Sequence, residues 1–185
     1  PIKVMTPVDY VISSANFPVL YLLHDTDDGQ HDENLISTFS LLRNNMVSGK
    51  LTKSIVVEIP VGAVDISPAL MMEIVGLIDT GYHTISNRQG RVLLGNEAGG
   101  TLATTLVSDN PQVFASCYLF NALLPDVSIG ATGEVFYYLD VTDECSAYRG
   151  NHQLYTEIRN ENIDYEFRVR QGGQNYQAFI NGLSE

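Results

Sequence analysis

Short apolar runs alternate with amphipathic stretches along almost the whole chain, and this alternation limits the folds open to it. Residues 18–23 (PVLYLL), 54–59 (SIVVEI), 91–94 (RVLL), 113–118 (VFASCY) and 134–139 (EVFYYL) read as strands. Most are apolar at consecutive positions, as strands buried on both faces must be. Residues 164–169 (DYEFRV) alternate more strictly, which predicts an exposed edge strand. A further strand is expected near residues 2–5, with Asp9 and Tyr10 in the connection after it.

Helical patterns fill the gaps. Residues 32–47 place Leu35, Ile36, Phe39, Leu42 and Met46 on one expected inward stripe, and Gly49 closes the helix. Ser67-Pro68 opens a second helix with Leu70, Met71, Ile74, Leu77 and Ile78 inward. Residues 98–108 form a third and residues 147–160 a fourth, with Leu154, Tyr155 and Ile158 inward; residues 176–183 form the last. Strands that alternate with helices imply an α/β three-layer fold with a mostly parallel sheet. The 185 residues suit one domain, 1–185.

Charge and composition narrow the partners. The net charge is −12, with ten basic residues scattered among 22 acidic ones, which argues against a nucleic acid. No apolar run approaches the roughly 18 residues that span a bilayer, so no membrane insertion is expected. The N-terminus lacks the basic and apolar regions of a secretory signal, which favours the cytoplasm slightly. Cys117 lies in an apolar run and reads as a core residue, and Cys145 as a bystander loop thiol. The two fit no metal spacing. His24 ends a buried strand and reads as structural, whereas His31, His83 and His152 lie in surface-like contexts.

The stretch Leu94-Gly95-Asn96-Glu97-Ala98-Gly99-Gly100 has the glycine frame of a hydrolase nucleophile elbow, G-x-S-x-G, with glutamate in the serine position. Such a turn needs small neighbours so that its central side chain can project above the sheet. Other segments agree with it. Residues 17–24 (FPVLYLLH) resemble the "YPVLYLLHG" strand of the esterase family of α/β-hydrolases that includes the esterase D-like and ferric-siderophore esterases. Residues 73–88 resemble its "ELIPYIDSNYRTISDR" segment, residues 110–115 "HPDLFGAA", and residues 171–176 "PGGHDW". The resemblance covers nearly the whole chain and keeps the family order.

The resemblance implies where the active site should be, and there the chain departs. The family's serine aligns with Glu97 and its histidine with Gln174. Its acid aligns with Asp143, or with Asp140 as a second choice, and Asp25 stands where its oxyanion loop has glycine. The connections at 59–67 and 125–134 are compressed, which implies a compact domain without a lid. Gln174 has no titratable nitrogen, and a carboxylate at Asp25 would repel an oxyanion. These changes predict a catalytically inactive domain with a binding or structural role, its partner another protein or a second copy. Ten tyrosines, no tryptophan and the edge at 164–169 fit such association. The alternative is an enzyme with rebuilt carboxylate chemistry through Glu97 and Asp143. No cofactor is expected, although Asp25, Asp27, Asp28, Glu97 and Asp143 are oxygen donors of the type that calcium or magnesium takes.

Overall fold

The computed structural model describes residues 2–25, 31–62, 65–124 and 134–184. A seven-stranded sheet forms its centre. In chain order the strands are β1 (Lys3–Met5), β2 (Val19–Asp25), β3 (Ile55–Val61), β4 (Arg91–Asn96), β5 (Ser116–Phe120), β6 (Phe136–Thr142) and β7 (Tyr165–Arg170). The helices are α1 (His31–Val47), α2 (Pro68–Gly81), α3 (Ala98–Asp109), α4 (Tyr148–Asn160) and α5 (Tyr176–Leu183). The sheet order is β1-β3-β2-β4-β5-β6-β7. Only β1 runs antiparallel, beside β3.

Strand alternation sends side chains to two separate cores. Tyr21, Leu23, Val57, Leu93, Cys117 and Leu139 point to one face, where Met71 and Ile74 of α2, Ala103 and Leu106 of α3, and Leu154 and Ile158 of α4 meet them. Leu22, Val56, Leu94 and Phe120 point to the other, under Leu35 and Leu42 of α1 and Phe179 of α5. The central strands are buried on both sides, which is why they read as unbroken apolar runs. Burial pushes the Cys117 thiol well above its ordinary range, so it is an inert core group.

Helix starts are set locally. Ser67 accepts a hydrogen bond from Leu70 N–H with Pro68 in the first turn of α2, and Asn175 accepts one from Ala178 N–H at α5. Three expectations need correction. Ile36 is 65% exposed and Leu77 71%, because the buried stripes run through Leu35, Thr38 and Leu42 and through Met71, Ile74, Val75 and Ile78. Each misplaced residue lies about 100° around its helix from a buried neighbour. β5 begins at Ser116 rather than 113, because Val113 N–H turns back to the Asn110 carbonyl and ends the preceding loop there. The compressed segment at 125–133 lies outside the described residues.

Candidate functional site

The elbow is present in full. Glu97 joins β4 to α3 with φ 52° and ψ −115°, a conformation that residues with a side chain rarely adopt. Its backbone is pinned on both sides. Glu97 N–H donates to the Phe120 carbonyl at 2.9 Å, and the Glu97 carbonyl accepts from Gly100, Thr101 and Leu123 N–H at 3.0, 3.2 and 3.1 Å. The glycines of the frame are packing requirements. A Cβ on Gly95 would lie 2.3 Å from the Gly99 carbonyl oxygen, one on Gly99 2.1 Å from the Leu23 carbonyl oxygen, and one on Gly100 2.4 Å from the Ala122 Cβ. The Glu97 side chain is half-buried and makes no capping bond to its own helix. Glu97 is the residue at the apex of the turn, directly before the positive end of α3.

The acid loop follows β6. Asp143 is exposed, and its Oδ1 accepts from Gly172 N–H at 2.9 Å. Asp143 N–H donates to the Arg170 carbonyl and Glu144 N–H to the Gly172 carbonyl, at 2.9 and 3.1 Å. These bonds tie the Asp143 loop to the loop that carries the half-buried Gln174. Asp140 is a different kind of residue. It is buried, Arg170 Nε donates to both its carboxylate oxygens at 2.8 and 2.7 Å, and Tyr138 O–H donates to it at 3.0 Å. Burial and the Asp140 charge push the Tyr138 phenol up to about 12, so Tyr138 remains a donor there. Asp140 is therefore a structural ion pair, and Asp143 is the carboxylate presented at the surface.

Two asparagines position this end of the site, and the sequence reading missed both. Asn121 follows β5 at φ 45°. Its buried side-chain oxygen accepts from Thr142 N–H at 2.9 Å, from the Thr142 hydroxyl at 3.2 Å and from Cys145 S–H at 3.6 Å. It thereby links the end of the elbow's neighbouring strand to the acid loop. Asn151 of α4 donates to the Ala122 and Ala147 carbonyls, both at 2.8 Å. Cys145 is thus a buried partner of Asn121, not a bystander thiol. An asparagine directly after an apolar run was the available signal, since asparagine tolerates positive φ.

His24 is buried, as a structural residue should be, while His83 and His152 are exposed. Asp25 ends β2 in register with Val61. Asp27 and Asp28 lie outside the described residues. Among the described residues no three His, Cys, Asp or Glu side chains group as metal ligands do. Among them, too, no helix is long and apolar enough to cross a membrane. A cavity of about 660 Å³ lies between α1 and α5, on a floor of Val92, Leu94, Tyr118, Phe136 and Tyr138.

No protein-family model and no curated protein matches this sequence. Solved structures do match its fold. A ferulic acid esterase superposes with a TM-score of 0.82 at 20% identity, over 99% of this chain and 88% of the other. The CE1 ferulic acid esterase from Anaeromyces mucronatus gives 0.80 at 16%, over 99% and 81%. S-formylglutathione hydrolase (FrmB) from Staphylococcus aureus gives 0.75 at 12%, over 99% and 91%. The fold is that of the α/β-hydrolases.

The expectation of a catalytically inactive, purely binding or structural domain is corrected by these findings. The structures that share this fold across nearly its whole length bear the names of esterases and hydrolases. The physical reason lies in the elbow. The expectation took the change from serine to glutamate as the dismantling of a site, yet the strained turn, its glycine packing and the link between the acid loop and the Gln174 loop are all intact.

Proposed function

We propose that this chain is a hydrolase of carboxylic esters in which the Glu97 carboxylate is the general base. The observation that carries the proposal is the backbone at Glu97. A strained φ/ψ pair costs on the order of 1–3 kcal/mol and persists where the surrounding structure enforces it, most often at functional sites. Here it presents a carboxylate that caps nothing.

A general base does not need the family's histidine. Glu97 takes a proton from water as the water oxygen attacks the ester carbonyl. The Glu97 carbonyl takes the Gly100 and Thr101 N–H groups, so the Ala98 and Gly99 N–H groups at the start of α3 are the donors offered to the oxyanion that forms. Collapse of the tetrahedral intermediate breaks the bond to the alkoxy group, which leaves as the alcohol with the proton from Glu97. The enzyme is restored without an acyl-enzyme, so Gln174 has no proton to carry. Its amide can donate a hydrogen bond to the substrate or the water, and Asp143 holds the Gln174 loop through Gly172 N–H.

Aryl esters are the first substrates to test, since the neighbours in fold include ferulic acid esterases. With methyl ferulate and 4-nitrophenyl acetate, Glu97→Gln is expected to lower kcat by about 10²–10⁴-fold, the usual contribution of a positioned base. Absence of turnover by the unaltered protein, or equal rates in the variant, would refute the proposal.

A further inference from the structure

We infer that two copies of this chain pair through β7, antiparallel about a two-fold axis at Phe167, to form one continuous sheet. β7 is the last strand of the sheet, and among the described residues no strand lies on its outer side. Its backbone direction is fixed by its inner neighbour. Tyr137 N–H donates to the Asp164 carbonyl and Asp143 N–H to the Arg170 carbonyl. The register with β6 is unbroken from Tyr165 to Arg170. Even-numbered residues therefore turn their N–H and C=O groups toward β6, and Tyr165, Phe167 and Val169 turn theirs outward.

An exposed edge of this kind pairs with another strand unless it is blocked, and charged side chains are the usual block. Here the charges select one register instead. The order is Asp164, Tyr165, Glu166, Phe167, Arg168, Val169, Arg170. An antiparallel pair centred on Phe167 sets Glu166 opposite the second copy's Arg168, and Asp164 opposite its Arg170, which stays bonded to Asp140 within its own copy. Tyr165 meets Val169. Phe167, Tyr165 and Val169 become the hydrogen-bonded pairs, and the charged residues fall at the non-hydrogen-bonded positions, where side chains approach most closely.

Every nearby alternative places like charges together. A centre at Tyr165 sets Asp164 opposite Glu166, and a centre at Val169 sets Arg168 opposite Arg170. Centres at Glu166 or Arg168 set each residue opposite itself. Within one copy, Arg168 Nε already donates to Glu166 at 2.6 Å, Glu166 being exposed and Arg168 partly so, and the pairing exchanges this contact for its equivalent across the axis. Tyr165 at 37% exposure and Val169 at 48% are apolar surface that the pairing would cover.

The test is sedimentation equilibrium on the full chain and on two charge variants. The unaltered protein is expected to show twice the 20.4 kDa chain mass. Glu166→Arg and Arg168→Glu should each be monomeric alone, because each sets like charges opposite one another. Mixed in equal amounts they should restore the double mass, since each then meets its opposite. Circular dichroism checks that both are folded; Arg168 also lies over the Tyr138 ring, whereas Glu166 is exposed, so Glu166→Arg is the safer variant. A monomeric unaltered protein, single variants that remain dimeric, or a mixture that stays monomeric would each overturn the inference.

Discussion

The chain has two glycine pairs near its candidate site, and they behave in opposite ways. Gly99 and Gly100 sit in the elbow, where an added Cβ would meet the Leu23 carbonyl oxygen at 2.1 Å and the Ala122 Cβ at 2.4 Å. Gly172 and Gly173 sit in the loop before Gln174, where an added Cβ would meet nothing within 4 Å. The elbow is enforced by packing from β2 and from the segment after β5. The Gln174 loop is held by hydrogen bonds to the Asp143 loop, and Gly172 matters there only for its φ of 111°. The elbow is thus the rigid half of the candidate site, and the half that carries Gln174 depends on polar contacts.

Substitutions can break this contrast. The largest effect is expected for Gly99→Ala. Its methyl group meets backbone rather than a movable side chain, and a cost above about 3 kcal/mol is expected, as for other overpacked sites. Urea unfolding would measure it, or a failure to accumulate folded protein. Asn121→Ala comes next, at about 2–3 kcal/mol, because Thr142 N–H loses its buried acceptor. It should also lower ester turnover, since the acid loop loses its tie to β5. Gly173→Ala should fall within about 0.5 kcal/mol of the unaltered protein. A Gly173→Ala cost near that of Gly99→Ala would erase the distinction.

High pH gives a smaller and independent effect. Burial raises the phenols of Tyr21, Tyr118 and Tyr138 above their ordinary value of 10.0. Below pH 10 both folded and unfolded chains hold these protons. Above it the unfolded chain releases them first, so stability falls between pH 10 and the folded value, about 12 for Tyr138. A melting temperature that stays flat over this window would contradict the assigned burial.

The layered fold is legible in the sequence because burial writes itself into the strands: residues such as 55–59 and 19–23 are apolar at nearly every position, since both faces are covered. The limit of that reading shows at Ile36 and Leu77, where an apolar residue on the flank of a helix stripe remains exposed. The elbow is legible through its glycines. The support from Asn121 and Asn151 is legible only in part: an asparagine directly after an apolar run marks the positive φ at Asn121, whereas the side-chain bonds of both to distant backbone leave no periodic trace. The step from a missing serine to missing activity also fails. Residue identity reports which chemistry is absent, whereas the backbone at Glu97 reports that the turn is still maintained under strain.

Glu97→Gly separates the strained backbone from the carboxylate it presents, with melting temperature and ester turnover measured on the same preparation. Glycine accepts the backbone conformation at φ 52° without a side-chain penalty, so relief of strain should outweigh its added unfolded-state entropy. A higher melting temperature, equivalent to about 1 kcal/mol in stability, is expected together with loss of turnover. A melting temperature that falls, or turnover that survives without the carboxylate, would contradict this expectation.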